Sequence, residues 1–196
     1  MGIKGEVIVV DNGSSDASAR IAENAGAHVI EEKRQGYGRA LRKGIRSASG
    51  NVLILIDADT TYDFRDIPKI YLPLSMGKAD MVIGDRFSGG IKKGAMSLSH
   101  RLGVRALSSF GRIKTKSNVR DFHCGLRGLT KNAAQGLKFK TTGMEFATEM
   151  IAEAAKKGLR IEQRPVSLRI CKYKRNSKLR TIRDGFRHLF YIIDFN

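Results

Sequence analysis

A chain of 196 residues with 41% hydrophobic content is long enough to bury one sizeable core, and no run approaches the ~18 apolar residues that a membrane span needs. With 36 Lys+Arg against 19 Asp+Glu the formal net charge is +17. That charge points to polyanionic partners, whether nucleic acid, an anionic membrane surface or phosphorylated substrates. Two cysteines, Cys124 and Cys171, allow one bridge at most, and neither Cys-x-x-Cys nor His-rich spacing suggests zinc. The first residues carry no signal-peptide pattern.

In chain order, residues 6–10 (Glu-Val-Ile-Val-Val) read as a buried strand ended by Asp11-Asn12-Gly13. Residues 17–25 carry a helical pattern capped by Ser15 or Asp16 and stopped by Gly26. A short strand follows over 28–31. Gly36-Tyr37-Gly38 opens a second helix to about Ser47, with Ala40, Leu41, Gly44, Ile45 and Ala48 at helical spacing. Residues 52–56 form the next strand, followed by a helix over 66–75 and a strand over 80–84. Alternating helices and continuous apolar strands predict an α/β fold, a Rossmann-like, mostly parallel sheet covered on both faces. Further on, the pattern predicts helices over 98–110 and 142–157, the latter closed by Gly158. One or two strands broken at Pro165 are expected over 160–170, and an amphipathic helix over 181–195. That last helix carries Ile182, Phe186, Leu189, Phe190 and Ile193 on one side, a stripe that either packs on the core or lies on an anionic bilayer.

The most informative short feature is Asp57-Ala58-Asp59, at the carboxyl end of the strand over 52–56. Open α/β sheets bind ligands at that end of their strands. Two carboxylates one residue apart can hold a hard cation, and the cation a diphosphate. Taken alone, the same triplet also fits a pair of solvated acids opening a loop.

An ordered set of motifs resembles a known family. Residues 6–16 (Glu-Val-Ile-Val-Val-Asp-Asn-Gly-Ser-Ser-Asp), the Gly36-Tyr-Gly-Arg-Ala40 helix start and Asp57-Ala-Asp59 stand in the order seen in family 2 glycosyltransferases of the GT-A fold. Asp80-Met-Val-Ile-Gly-Asp-Arg-Phe87, Gly125-Leu-Arg127, Gly143-Met-Glu-Phe146 with Glu149, and Ser177-Lys-Leu179 are similar to the dolichyl-phosphate (polyprenyl-phosphate) sugar transferase branch. The resemblance implies a single domain over 1–196, with a nucleotide-sugar part over about 1–90 and an acceptor part over about 91–196. It also implies inverting transfer of a sugar from a UDP- or GDP-sugar to a lipid-linked phosphate, supported by Mg²⁺ or Mn²⁺.

Residue by residue, Asp57 and Asp59 match the metal–diphosphate motif, and Asp11 the acid that hydrogen-bonds the nucleotide base; a turn-forming Asp before Asn-Gly is the plainer reading of Asp11. Arg39, in the matching helix start, falls on the donor side. Arg86 matches an arginine beside the acceptor phosphate, where a guanidinium binds in bidentate fashion. Arg105 extends that basic cradle or is simply solvated. Arg127 reaches the phosphates or forms a structural ion pair. Ser177 and Lys178 resemble a basic segment that closes over the donor diphosphate, although Asn176 replaces the usual glycine. An already anionic acceptor needs no strong enzyme base, so Asp59 and Arg86 are the expected catalytic groups through charge stabilisation. Glu145 and Glu149 are the alternatives as a base, or else they orient arginines in a buried network.

The resemblance further places the protein in the cytoplasm, peripheral at the inner face of the cell membrane. The family's first strand and its Pro-x-x-Asn-Glu type loop have no counterpart before residue 6, so the fold is expected to be N-terminally truncated, with strand edges left unpaired. An impaired fragment acting as a nucleotide- or anionic-membrane-binding module is therefore the second functional expectation. Specific nucleic-acid binding is not expected: no recognition motif accompanies the charge, and the few aromatics do not interleave with the basic stretch.

Overall fold

The computed structural model describes residues 3–171, 173 and 181–195. The order is β1 (Ile8–Asp11), α1 (Ser18–Asn24), β2 (His28–Glu31), α2 (Tyr37–Ser47) and β3 (Val52–Leu55). A 3-10 turn at Phe64–Asp66 then leads into α3 (Ile67–Ser75), followed by β4 (Met81–Asp85), α4 (Arg86–Gly89) and α5 (Leu98–Thr115). The chain continues with β5 (Arg127–Thr130), α6 (Lys131–Gly136), α7 (Phe146–Lys156), β6 (Ile161–Pro165) and α8 (Thr181–Asp194).

The α/β architecture is as expected, but the main sheet is mixed, with strand order β3-β5-β4-β6. β5 runs antiparallel to both neighbours, while β4 and β6 are parallel. β3, β4 and β6 therefore all point the same way, and β5 alone reverses the pattern. β1 and β2 pair in parallel as a separate two-stranded sheet. Among the described residues no ladder joins β1 to β3.

Helices cover both faces of the main sheet, and neighbouring residues of β5 show how. A Cβ on Gly128 would press on Leu74 and Ile70 of α3, at 2.7 and 2.8 Å. The adjacent Arg127 points to the opposite face, as successive strand residues must, and donates to Ala147 O of α7 at 2.9 Å. Met81, Val82 and Ile83 of β4 are fully buried between these layers with Ile70, Leu129 and Met150. Each such aliphatic side chain contributes about 1.5–3 kcal/mol by leaving water.

Several helix boundaries differ from the pattern for identifiable reasons. α5 runs past residue 110 to Thr115 and ends where Lys116 turns left-handed at φ 52°. α7 begins at Phe146 rather than 142. The preceding loop takes its hydrogen bonds from Glu149, whose carboxylate accepts the main-chain N–H of Lys140 (2.7 Å) and Thr141 (3.1 Å). α1 has Ala17 at its N-cap, which supplies no side-chain cap, and Asp16 one residue earlier accepts Ser18 N–H at 3.0 Å.

Candidate active site

The sheet brings the site together. β3 and β4 end at the edge where antiparallel β5 begins, since Arg127 sits opposite both Leu55 and Ile83. Asp57, two residues beyond β3, and Arg86, directly after β4, thus share an edge with residues 121–125, the segment leading into β5.

That segment touches both. Asp121 clamps Arg86: its two carboxylate oxygens accept Nε and Nη2 at 2.7 Å each, and Oδ2 also accepts the Arg86 main-chain N–H at 3.2 Å. Both side chains are buried, Asp121 completely. At the other end, a Cβ on Gly125 would overlap Asp57 Oδ2 and stand 2.6 Å from its Cγ, so only glycine lets this main chain lie against the carboxylate. Gly125 N–H is itself anchored by Tyr62 Oη at 2.7 Å, and Tyr37 Oη donates to Asp57 Oδ1 at 3.3 Å.

Asp57 lies above the ordinary carboxylate range, first because of desolvation and second because of the neighbouring charge of Asp59; Arg127 and Arg86 pull the other way. Asp59 accepts the N–H of Thr61 at 3.0 Å as well as its hydroxyl. The intervening Thr60 stands at φ 64°, a left-handed conformation costing on the order of 1–3 kcal/mol for a non-glycine residue. Asp57, held beside the charge of a second carboxylate, suits a hard divalent cation shared with it. Among the described residues no cluster of three or more His, Cys, Asp or Glu could hold a metal. Two neighbouring carboxylates such as Asp57 and Asp59 fit the pattern in which Mg²⁺ or Mn²⁺ sits on one or two carboxylates plus substrate phosphates and water.

The other expected residues divide. Arg127 is 1% exposed and spends its guanidinium on main-chain oxygens, donating to Cys124 O, Phe122 O and Ala147 O. Among the described residues it makes no ion pair, and it locks the 122–124 turn to α7. Arg105 is exposed, with its guanidinium 4.9 Å from the Phe87 ring centroid. Arg39, half-buried on α2, donates its main-chain N–H to Thr142 O at 3.4 Å. Asp11 ends β1 and accepts Ser14 N–H at 3.0 Å, the turn geometry of its plainer reading. Glu145 pairs with Arg187 Nη2 at 2.7 Å, so both glutamates join buried networks. Ser177 and Lys178 lie outside the described residues.

A cavity of about 510 Å³ opens at this edge. Its lining includes Asp57 and Arg86 together with Met96, Val104, Leu107 and Leu168. His100, His123 and His188 line it too, three of the four histidines of the chain. Their spacing in sequence gives no hint of this; they meet only because α5, α8 and the 121–125 segment converge. The His123 and His188 rings pack edge to face with centroids 4.4 Å apart, and His188 Nδ1 shares a 2.7 Å hydrogen bond with Thr148 Oγ1.

Burial, with Arg127 and Arg187 adding to it against the opposing charges of Glu145 and Asp184, pushes His188 down to about 4. The unfolded chain takes up this proton near pH 6.5, whereas the folded protein resists until about pH 4. Stability is thus present above pH 6.5 and falls with pH through that window. Between pH 7 and 5 the native protein should lose about 2 kcal/mol more unfolding free energy than His188→Gln, a difference readable from urea titrations at the two pH values. Equal losses in both proteins would exclude a neutral buried His188.

Comparison with known proteins follows the same lines. A family model described as Glycosyl transferase family 2 matches residues 4–137. A low-salt glycan biosynthesis hexosyltransferase of Haloferax volcanii is 37% identical over 194 residues, covering 98% of this chain and 46% of the relative. A dolichyl-phosphate hexose transferase of the same organism is 30% identical over 166 residues, covering 85% of this chain and 71% of the relative. The chain spans about half the length of the first of these relatives. Among solved structures, glucosyl-3-phosphoglycerate synthase of Mycobacterium tuberculosis with phosphoglyceric acid superposes at TM-score 0.75 and 22% identity, over 96% of this chain and 67% of that one. The same synthase with Mn²⁺ and UDP-glucose gives 0.72 at 23% identity, over 95% and 66%. At these identities the likeness establishes the GT-A fold.

Proposed function

The chain belongs to glycosyl transferase family 2, and from that membership we propose that it moves a hexosyl group, with inversion, from a UDP- or GDP-sugar to a polyprenyl phosphate. One observation carries the acceptor class: a single cavity joins Asp57 and Arg86 to the apolar walls of Met96, Val104, Leu107 and Leu168. A phosphate on an apolar chain presents the same combination. The 30% identity to a dolichyl-phosphate hexose transferase supports it independently.

In this reading Asp57 and Asp59 hold the donor diphosphate through a divalent cation, which when bound neutralises charge on the departing nucleoside diphosphate. Gly125 and Tyr37 keep Asp57 in place. Arg86, immobilised by Asp121, presents a fixed positive charge to the acceptor phosphate, and its rigidity means little reorganisation is needed as charge moves. The phosphate oxygen attacks the anomeric carbon as an anion, so the side chains align and stabilise rather than remove a proton. Incubation with Mn²⁺, UDP- and GDP-hexoses and a polyprenyl monophosphate should yield an organic-soluble hexosyl lipid. Nucleotide release without that lipid would sink the acceptor assignment.

An anionic membrane surface follows from the acceptor. No helix among the described residues is long and apolar enough to cross a membrane. α5 and α8 pack together and leave Leu98, Leu102, Phe186, Phe190 and Ile193 largely exposed. Arg105, Lys92, Lys93 and Arg183 are exposed on the same elements or beside them. Exposed aromatics ringed by basic groups bind anionic bilayers through both terms. Phe190→Asp should cut partitioning to vesicles containing anionic lipid by at least about 10-fold, the value of burying one such side chain. Wild-type partitioning should also weaken as salt rises. Unchanged sedimentation of the variant with vesicles would remove this face from the membrane contact.

A further inference from the structure

His123 lines the cavity with chemistry that the assignments above leave unused. Neither of its ring nitrogens has a hydrogen-bond partner among the described residues, although both atoms are buried. A donor and an acceptor withheld from water without partners are costly, and the surroundings do not explain the cost. Thr148 is already taken by His188, and Arg86 by Asp121. The main chain of His123 is held firmly, its N–H donating to Asp121 Oδ1 at 3.3 Å, and its ring is braced by His188. The ring is thus fixed in a segment whose first residue clamps Arg86 and whose last lies against Asp57.

We propose that His123 is an acceptor-binding residue, donating a ring N–H to a non-attacking oxygen of the acceptor phosphate beside Arg86. The proposal rests on the polyprenyl-phosphate reading above. Its chemistry is specific: phosphate oxygens only accept, Arg86 supplies the charge, and an uncharged imidazole supplies direction without a second full charge in an apolar cavity. Burial first, and then the positive charges of Arg86 and Arg127, hold the imidazole well below its usual range and so keep it neutral. A neutral ring that already lacks partners gains a hydrogen bond only when the acceptor arrives. The cavity is therefore poised for its ligand at the expense of the empty protein.

The test compares the wild type with His123→Leu, which keeps bulk and loses the N–H, and with His123→Gln, which keeps a donor. With Mn²⁺ and the nucleotide sugar at saturation, His123→Leu should raise KM for a polyprenyl monophosphate by at least about 10-fold, and His123→Gln should recover much of it. Calorimetric affinity for Mn²⁺ with nucleoside diphosphate should stay within twofold in both variants. The ligand-free His123→Leu protein should melt no lower than wild type, because it sheds unpaired buried groups. A wild-type KM in His123→Leu overturns the proposal while leaving the function intact, and so does an equal loss of nucleotide affinity. A wild-type protein that transfers nothing to polyprenyl phosphate overturns the functional reading and this role with it.

Discussion

Asp59→Ala should lose metal-supported hexosyl transfer by at least about 100-fold, equivalent to several kcal/mol of charge stabilisation at the departing diphosphate. Its fold should be nearly intact. Asp59 is only partly buried, and its hydrogen bonds to the Thr61 N–H and hydroxyl are local ones. Asp57 by contrast is pressed between Gly125 and Tyr37, so its replacement would disturb packing as well as charge. Asp59→Ala is therefore the cleaner probe of the pair. The variant also relieves Asp57 of a like charge and should move its carboxyl back down toward the ordinary range. Two readouts belong together: turnover, and calorimetric binding of nucleoside diphosphate with and without Mn²⁺. Loss of the Mn²⁺-dependent increment in affinity is expected alongside loss of turnover. Unchanged turnover, or an unchanged increment, would falsify the carboxylate-pair site.

Asp121→Ala should cost about 3–5 kcal/mol of unfolding free energy, the range for breaking a buried ion pair by removing one partner. Arg86 is 6% exposed and its charge would be left without a counter-ion in the cavity wall. That loss approaches the whole stability of a typical domain. A companion variant separates charge from packing. Asp121→Leu combined with Arg86→Met replaces the pair by apolar groups and should recover most of the stability, while remaining inactive because the phosphate-facing charge is gone. Urea midpoints at constant slope measure both. A single-variant loss below about 1 kcal/mol would show that water reaches Arg86 and that the clamp is not structural.

Much of the scaffold was legible because its signals are local. β2, α2 and β3 were read within a residue or two from apolar runs, helical spacing and glycine stops, and the acid pair was found from its place after a buried strand. β5 was not, and its residues explain why. Arg127-Gly128-Leu129-Thr130 opens with a buried charge and has glycine in its interior, two features that argue against a strand. Both are demanded by neighbours distant in sequence: α3 presses on Gly128, and α7 supplies a carbonyl for Arg127. Missing that strand made the sheet look mostly parallel.

The site was half legible for the same reason. Asp57, Asp59 and Arg86 stand at strand ends, which composition reveals. The partner of Arg86 is 35 residues away and belongs to no motif of its own. His123 and His188 meet only through the packing of α8. Arg127, in Cys-Gly-Leu-Arg-Gly, read equally as a phosphate ligand or a structural ion pair, and no sequence signal showed that its buried guanidinium would bond main-chain oxygens.

The reversed strand also acts as a ruler. β5 lies between β3 and β4, so the carboxylate end of one and the arginine end of the other stand two strand spacings apart, about 9.6 Å. Main-chain hydrogen bonds set that interval, not side chains. On the proposed function, residues lining the cavity can therefore be exchanged to admit a different sugar or a different lipid without altering how far the leaving group stands from the nucleophile. Substrate choice and reaction geometry are written in separate parts of the molecule, which leaves specificity free to drift while the span of the reaction stays constant.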